Sequence, residues 1–275
     1  MNWRTNLVEN KKFFIKKRWF VVIFLSILIL LGTLVPLPYY IEMPGSTENV
    51  SNMIQVEKMP VVDKGSLNLT TVSVMQATGA SLIYAAATNF TDVYSKKDMM
   101  GDQSDNDYNR MNKFYMESAQ NVAIYSAFKL ANKPFSLNYK GVYVLNVLPK
   151  STFKNVLQIA DTVVGADGKT FNSSQELMTY IKSLKIGDNI SIQYTNDKGE
   201  KKSSEGKTIK LQDGKAGIGI TLVDHTDITS TPAVKIDAGD IGGPSAGMMF
   251  TLELYSQLMG KDLTQGRNIA GTGTI

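Results

Sequence analysis

The pattern of apolar and polar positions changes character several times along the chain. From Trp19 to Leu37 the run WFVVIFLSILILLGTLVPL has no charged residue, and at ~1.5 Å per residue it reaches about 28 Å, close to the hydrocarbon thickness of a bilayer. This predicts a transmembrane helix over 19–37. Gly65–Val74 alternates and is rich in Thr and Val, which predicts a strand. Asp102–Asp107 is a polar loop that caps a helix from Tyr108 to about Ala131, with Met111, Phe114, Tyr115, Ala119, Val122 and Ala123 on one face. Between Phe135 and about Ile220 the pattern shortens into several strands, one helix and frequent glycines. Val142–Leu148, Ile159–Val164 and Asn189–Tyr194 read as strands, and Ala166–Lys169 as a tight turn. Ser173–Glu176 is a capping box opening a helix with Leu177, Tyr180, Ile181 and Leu184 on one face. Ser245 stands at the entrance to a last helix ending near Gly260, with Met248, Leu252, Tyr255 and Met259 along one face.

Charge sharpens this picture by its position. The 275 residues carry a formal net charge of +4, but the first 18 residues hold +5 and the remainder −1. A balanced body offers no footprint for nucleic acid, so no nucleic-acid partner is expected. The cations of Lys11–Arg18, directly before the apolar run, put the N-terminus in the cytoplasm and the body outside. The expectation is a single-pass protein of a bacterial cell membrane, with the lipid bilayer as a partner and an extracellular body. An uncleaved anchor is favoured over a cleaved signal, because Val35–Tyr40 offers no small-residue cleavage site. Without cysteine, disulfides, thiolate metal sites and cysteine nucleophiles are excluded, and one histidine leaves little material for a metal site. No metal or cofactor is expected. The acids of Asp102–Asp107 lack the glycine and terminal glutamate of a calcium loop and read as a solvated helix cap.

The candidate chemistry lies in Asp240-Ile-Gly-Gly-Pro-Ser245-Ala-Gly-Met-Met. Small residues on both sides of Ser245 let a substrate backbone approach closely, and backbone N–H groups at a helix start can hold an oxyanion. The plainer alternative is that Pro244-Ser245 only starts a helix. Gly243–Gly247 formally fits the G-x-S-x-G elbow of α/β-hydrolases, which need a histidine later in the chain. Here His225 precedes Ser245 and no histidine follows. His225 reads as a surface loop residue between Asp224 and Asp227. A lysine with a lowered pKa can activate a serine without any histidine.

Two resemblances follow from these residues. The order of elements over 135–220 resembles a PDZ domain of the bacterial, protease-associated type. Lys140, Gly141, Val142 and Tyr143 sit where such domains have their carboxylate-binding loop, and Ile159–Gly168 is similar to their G-D-x-I-x-x-V-D-G run, with Ala160 in place of its glycine. The resemblance implies that these loop amides hold a peptide C-terminus while the peptide adds a strand between Val142–Leu148 and the helix from Ser174. A purely structural insertion is the alternative. Gly243–Gly247 followed by Asn268–Ile275 is similar to the proteolytic domain of Lon-type Ser-Lys proteases. With the anchor and the PDZ-like segment, the chain resembles the membrane-bound PDZ–Lon proteases of Gram-positive bacteria, the YlbL/SepM-like group.

The implied fold class is α+β: an N-terminal transmembrane helix, then a Lon-type protease domain interrupted by an inserted PDZ-like domain. The expected boundaries are a basic tail at 1–18, the anchor at 19–37, protease segments at 41–134 and 221–275, and the PDZ-like insert at 135–220. The implied function is an ATP-independent serine endopeptidase acting on extracellular peptides or proteins. Ser245 would be its nucleophile, and the amides of Gly242, Gly243 and Ala246 would hold the oxyanion. There is no Walker A loop for ATP, since Glu205–Thr208 imitates only its end and Lys201 replaces the first glycine. In that family the base lysine lies a few tens of residues beyond the serine. Only Lys261 follows Ser245, and it reads as a helix C-terminal partner. The 275 residues are therefore expected to be a truncated form, inactive as written. The alternative function is an anchored peptide-binding module without catalysis.

Overall fold

The computed structural model describes the backbone of residues 3–101 and 103–275, with side-chain surroundings from Trp19 onward. In chain order the elements are α1 (Trp3–Leu34), β1 (Pro36–Asn49), a 3-10 turn at Val50–Asn52, β2 (Ile54–Val56), β3 (Ser66–Thr78), α2 (Gly79–Ala87), β4 (Asp92–Ser95), α3 (Lys96–Met100) and α4 (Asp105–Leu130). Then come β5 (Phe135–Val147), β6 (Thr162–Ala166), β7 (Lys169–Thr170), α5 (Ser174–Ser183), β8 (Asn189–Thr195), β9 (Lys201–Lys207), β10 (Ile209–Lys210), β11 (Ala216–Gly217), β12 (Ile220–Ser230), β13 (Val234–Ile236), α6 (Gly247–Met259) and β14 (Asn268–Gly271). Helices and mainly antiparallel strands share the chain, which agrees with an α+β class in general terms.

The chain divides into two compact units, Met1–Ser46 with Thr71–Asp102 and Thr47–Thr70 with Gln103–Ile275. In the first, β1 pairs antiparallel with β4 from Tyr39↔Ser95 to Glu42↔Asp92. Ile41, Ala77 and Ala85 form its buried centre. Among the described residues, no helix is long and apolar enough to cross a membrane. This overturns the transmembrane helix expected at 19–37, and with it the anchored fold class, the cell-membrane localisation and the bilayer partner. The physical reason lies at Val35-Pro36. A residue before proline is pushed out of the helical region and proline has no N–H to donate. Accordingly α1 ends at Leu34, and Pro36 and Leu37 belong to β1. The uncharged stretch that is helical, Trp19–Leu34, rises only about 24 Å at ~1.5 Å per residue. The basic side chains of 1–18 lie outside the described surroundings.

The second unit has two cores. In one, α4 and α6 pack together through Met116, Ala123, Phe128, Met249, Phe250 and Leu254. The antiparallel pair β2–β13 belongs to this core, as does the first part of β3, which runs parallel to β14 from Ser66↔Asn268 to Leu69↔Gly271. Ser104 opens α4 by accepting the Asp107 amide; Asp102 of the expected cap lies outside the described residues. On α4, Met111, Ala119 and Ala123 are buried, whereas Tyr115 and Val122 are exposed. On α6 the stripe of Met248, Leu252 and Met259 faces outward, and Met249, Phe250, Leu254 and Leu258 face the core. Glu253 and Gln257 also lie on the buried side, where the Gln257 amide donates to Glu253 Oε1 at 2.7 Å. Because these two polar residues satisfy each other, they occupy core positions that a simple apolar period assigns to water.

The other core belongs to an antiparallel sheet ordered β12-β5-β6-β8-β9. Val142, Val144, Phe153, Leu177, Ile190 and Ile192 fill it. Ser173 caps α5 by accepting the Glu176 amide, and Leu177 and Ile181 turn inward, as the capping box predicts. β5 is longer than the expected strand. Its first part, Phe135–Tyr139, pairs with Thr226–Ser230, and its second part, from Gly141 to Val147, pairs with Ile220–His225.

Candidate functional site

The expected peptide-binding residues Lys140, Gly141, Val142 and Tyr143 lie in the middle of β5, not in a loop. Their backbone pairs with β12 on one side, through Gly141↔His225, Val142↔Asp224 and Tyr143↔Val223. On the other side Val142 and Tyr143 pair with Val163 and Thr162 of β6. The carboxylate-loop assignment is corrected accordingly. Gly141 has φ +141°, and a Cβ there would lie 2.3 Å from the Val163 carbonyl oxygen. The glycine thus serves close strand approach. Val142 is fully buried, and Lys140 reaches Asp227 at 3.4 Å.

The slot expected for an added peptide strand, between β5 and α5, holds β12. Leu222 and Ile220 pack on the core of the sheet. The Ser174 amide in the first turn of α5 donates to Asp224 Oδ1 at 3.0 Å, which sets a carboxylate at the positive end of a helix. The β5–β12 ladder is irregular here, with register shifts at Thr221/Leu222 and His225/Thr226.

His225 is not in a surface loop but on β12, its ring stacked on Tyr143 with centroids 4.0 Å apart. Its Nδ1 lies 2.9 Å from Thr162 Oγ1 and its Nε2 3.3 Å from Glu117 Oε1 on α4. The Tyr143 hydroxyl donates to Glu117 Oε2 at 2.7 Å. The His225 hydrogen bond, helped by that of Tyr143, holds the Glu117 carboxyl below its usual range, against the opposing effect of burial. Burial, then the Glu117 acceptor, pushes the Tyr143 hydroxyl well above an ordinary tyrosine. Tyr139 is pushed up to about 12 by burial and by the charges of Asp224 and Glu176. Arg110, buried on α4, pairs with Asp197 at 2.7 Å and Asp161 at 3.8 Å and donates to Gln158. Burial raises the Asp161 carboxyl, with Arg110 acting against it. A cavity of about 270 Å³ opens beside Arg110, Lys113, Tyr143 and Ala160. Arg110 and Glu117 escape a reading based on apolar period. Their signal is spacing: with Phe114 they form an i, i+4, i+7 stripe, a charged edge to the apolar face of α4.

Ser245 is exposed just before α6. Its carbonyl oxygen accepts the Gly273 amide at 2.6 Å and the Thr272 hydroxyl at 3.0 Å, and the Met248 amide donates to Gly273 at 2.9 Å. The serine motif and the Asn268–Ile275 segment, far apart in sequence, therefore meet. Gly242 is small because α4 is close: a Cβ there would lie 2.9 Å from that of Asn112. The Gly243 amide donates to the Asn112 carbonyl at 2.8 Å, which commits it to α4 and removes it from the oxyanion set. Ala246 is buried at the N-cap of α6, which has no side-chain cap. Beside the serine motif lies a cleft of about 90 Å³ lined by Tyr115, Ala119, Val122, Pro244 and Ile275. The outward turn of Tyr115 and Val122 on α4 is thereby accounted for.

Residues 128–211 match the family model of the PDZ domain, so the chain carries a PDZ domain, built on β5, β6, α5 and β8. Solved PDZ domains of two SdrC-like proteins are similar to it. That from Listeria monocytogenes is 38% identical, covers 31% of this chain and 90% of its own, and has a TM-score of 0.30. That from Listeria innocua is 35% identical, covers 31% of this chain and 96% of its own, and has a TM-score of 0.29. No curated protein matches the chain. The family match ends at residue 211, before Ser245.

Proposed function

We propose that the chain is a peptide-recognition protein whose PDZ domain takes an extended peptide along β5, facing α5. The observation that carries this reading is that the β5 edge already accepts a strand there: β12 pairs along it from Ile220↔Val147 to His225↔Gly141. Main-chain pairing supplies affinity in this mode, and alternate side chains supply choice. Titration with extended peptides, each with a free or an amidated C-terminus, tests it. Binding lost on Leu145→Pro is the expected result, since Val144 spends its N–H and carbonyl on Asp161 and Ala160 and its neighbour turns the other way along β5. Unchanged binding to a folded Leu145→Pro protein would refute it.

A second reading is favoured by Ser245, exposed at the entrance of α6 with its motif tied to Thr272 and Gly273 beside an apolar cleft. In this reading the protein is an ATP-independent serine endopeptidase of the Lon type. Ser245 attacks the peptide carbonyl, and Ser245 and Ala246 amides hold the oxyanion. A lysine base, as the Ser-Lys resemblance implies, accepts the proton and returns it to the leaving amine as the peptide bond breaks. Ser245→Ala should abolish cleavage of an unstructured peptide and leave PDZ binding intact. Cleavage at the parent rate would overturn the nucleophile assignment.

A further inference from the structure

We propose that the first half of β12, Ile220–Asp224, is a built-in occupant of the PDZ peptide slot, which an incoming peptide must displace. The inference rests on the reading of that slot given above. The segment runs antiparallel to β5, as an added peptide strand can, and lies against α5 through the Ser174–Asp224 bond. It presents the chemistry of a ligand: two apolar side chains at alternate positions, Ile220 and Leu222, on the core of the sheet, then a carboxylate at the start of α5.

Its seating is also the kind that can be undone. One register shift falls within this short stretch, at Thr221/Leu222, and a second just beyond it, at His225/Thr226, and each leaves part of the ladder unpaired. Thr221, Val223 and Asp224 are exposed, and the apolar anchors are only half-buried. At its far end, His225 is held by side-chain contacts to Thr162, Tyr143 and Glu117. By contrast, the opposite edge of the sheet, β9, carries Lys201, Lys202 and Lys207, which discourages strand addition there. A tethered occupant acts at an effective concentration in the millimolar range. A free peptide therefore binds weakly until β12 is loosened or the peptide out-competes it.

The experiment uses the whole chain and a labelled synthetic peptide, Ile-Thr-Leu-Val-Asp, with a free C-terminus. It is titrated against the parent and against the Leu222→Ala/Asp224→Ala double variant, with amide hydrogen exchange followed in β12, β6 and β8. The expected result is at least tenfold tighter binding by the variant. Its β12 amides should exchange faster while those of β6 and β8 stay protected, and saturating peptide should expose the β12 amides of the parent. Should β6 and β8 also lose protection, Asp224→Ala alone, which removes the bond to Ser174 and a charge near Tyr139 but no apolar anchor, carries the same comparison. Equal affinity of parent and variant, with β12 protected throughout, would make β12 a permanent strand and overturn the proposal while leaving peptide recognition in place. No binding to a variant whose β12 exchanges freely would overturn both, because an open slot would then reject its own sequence.

Discussion

Ala160 occupies a backbone conformation that suits it poorly, which makes its replacement by glycine a quantitative test of the fold. It has φ +69°, in the left-handed region. Its N–H donates to the Val144 carbonyl at 2.9 Å, and the next residue, Asp161, accepts the Val144 amide at 2.9 Å, so the conformation is fixed on β5. An L-residue held there costs about 1–2 kcal/mol. Glycine removes that cost but gains freedom in the unfolded chain, which returns about 0.4–1 kcal/mol. Loss of a half-buried methyl returns a few tenths more. Ala160→Gly should therefore stabilise the PDZ domain by roughly 0.5 kcal/mol, read as slower amide exchange in β6 and β8 of the whole chain. Ala160→Val is the control, since a β-branched residue is a true outlier at positive φ. It should destabilise by more than glycine stabilises. If glycine destabilises, or valine is tolerated, the left-handed geometry at this turn is wrong.

Gly141→Ala should cost about 3 kcal/mol, combining overpacking against Val163 with strain at positive φ, measured by urea unfolding; a loss below about 0.5 kcal/mol would refute the close approach of β5 and β6. The Glu117 carboxyl is depressed in the folded chain, so its stabilising contribution is present above the ordinary carboxylate value and disappears as the pH falls through the depressed one. Glu117→Gln should accordingly lower stability by about 0.5–1 kcal/mol at pH 7, as its hydrogen bonds with Tyr143 and His225 lose the charged acceptor. The gap between variant and parent should close in acid, and a gap that widens there would contradict the assignment.

The PDZ domain was legible because its signals are local. The Ser173 cap, the Ala166–Lys169 turn and the alternation of Asn189–Tyr194 each follow from a few neighbouring residues, and each appears in α5, the β6–β7 turn and β8. The departure at Ala160 was visible too, though only its dihedral explains why the family has glycine there. The partner of β5 was not legible. No strand was expected over Thr221–Ser230, since its pairing depends on residues some eighty positions earlier, which no local pattern encodes. The same blindness placed His225 in a loop and Lys140–Tyr143 in another. Charge pattern and length alone predicted a membrane helix at 19–37, where proline chemistry at Val35-Pro36 decides the end of α1. The union of Ser245 with Thr272 and Gly273, and the engagement of Gly243 by Asn112, needed the folded positions of α4 and the C-terminal segment.

Tyr139 and Thr226 are ladder partners on β5 and β12, so the chain leaves for the PDZ domain and returns from it at adjacent points. Closing a flexible excursion of about ninety residues costs on the order of 4 kcal/mol in chain entropy, growing only as the logarithm of its length. A folded PDZ domain holds its own ends together and lifts that cost from the ribbon of Phe135–Tyr139 and Thr226–Ser230. The ribbon, once formed, does the same for the PDZ domain. The two are thereby coupled through closure entropy even where no side chain links them. Because of the logarithm, a module much larger or smaller could hang from the same pair of strands with nearly the same penalty.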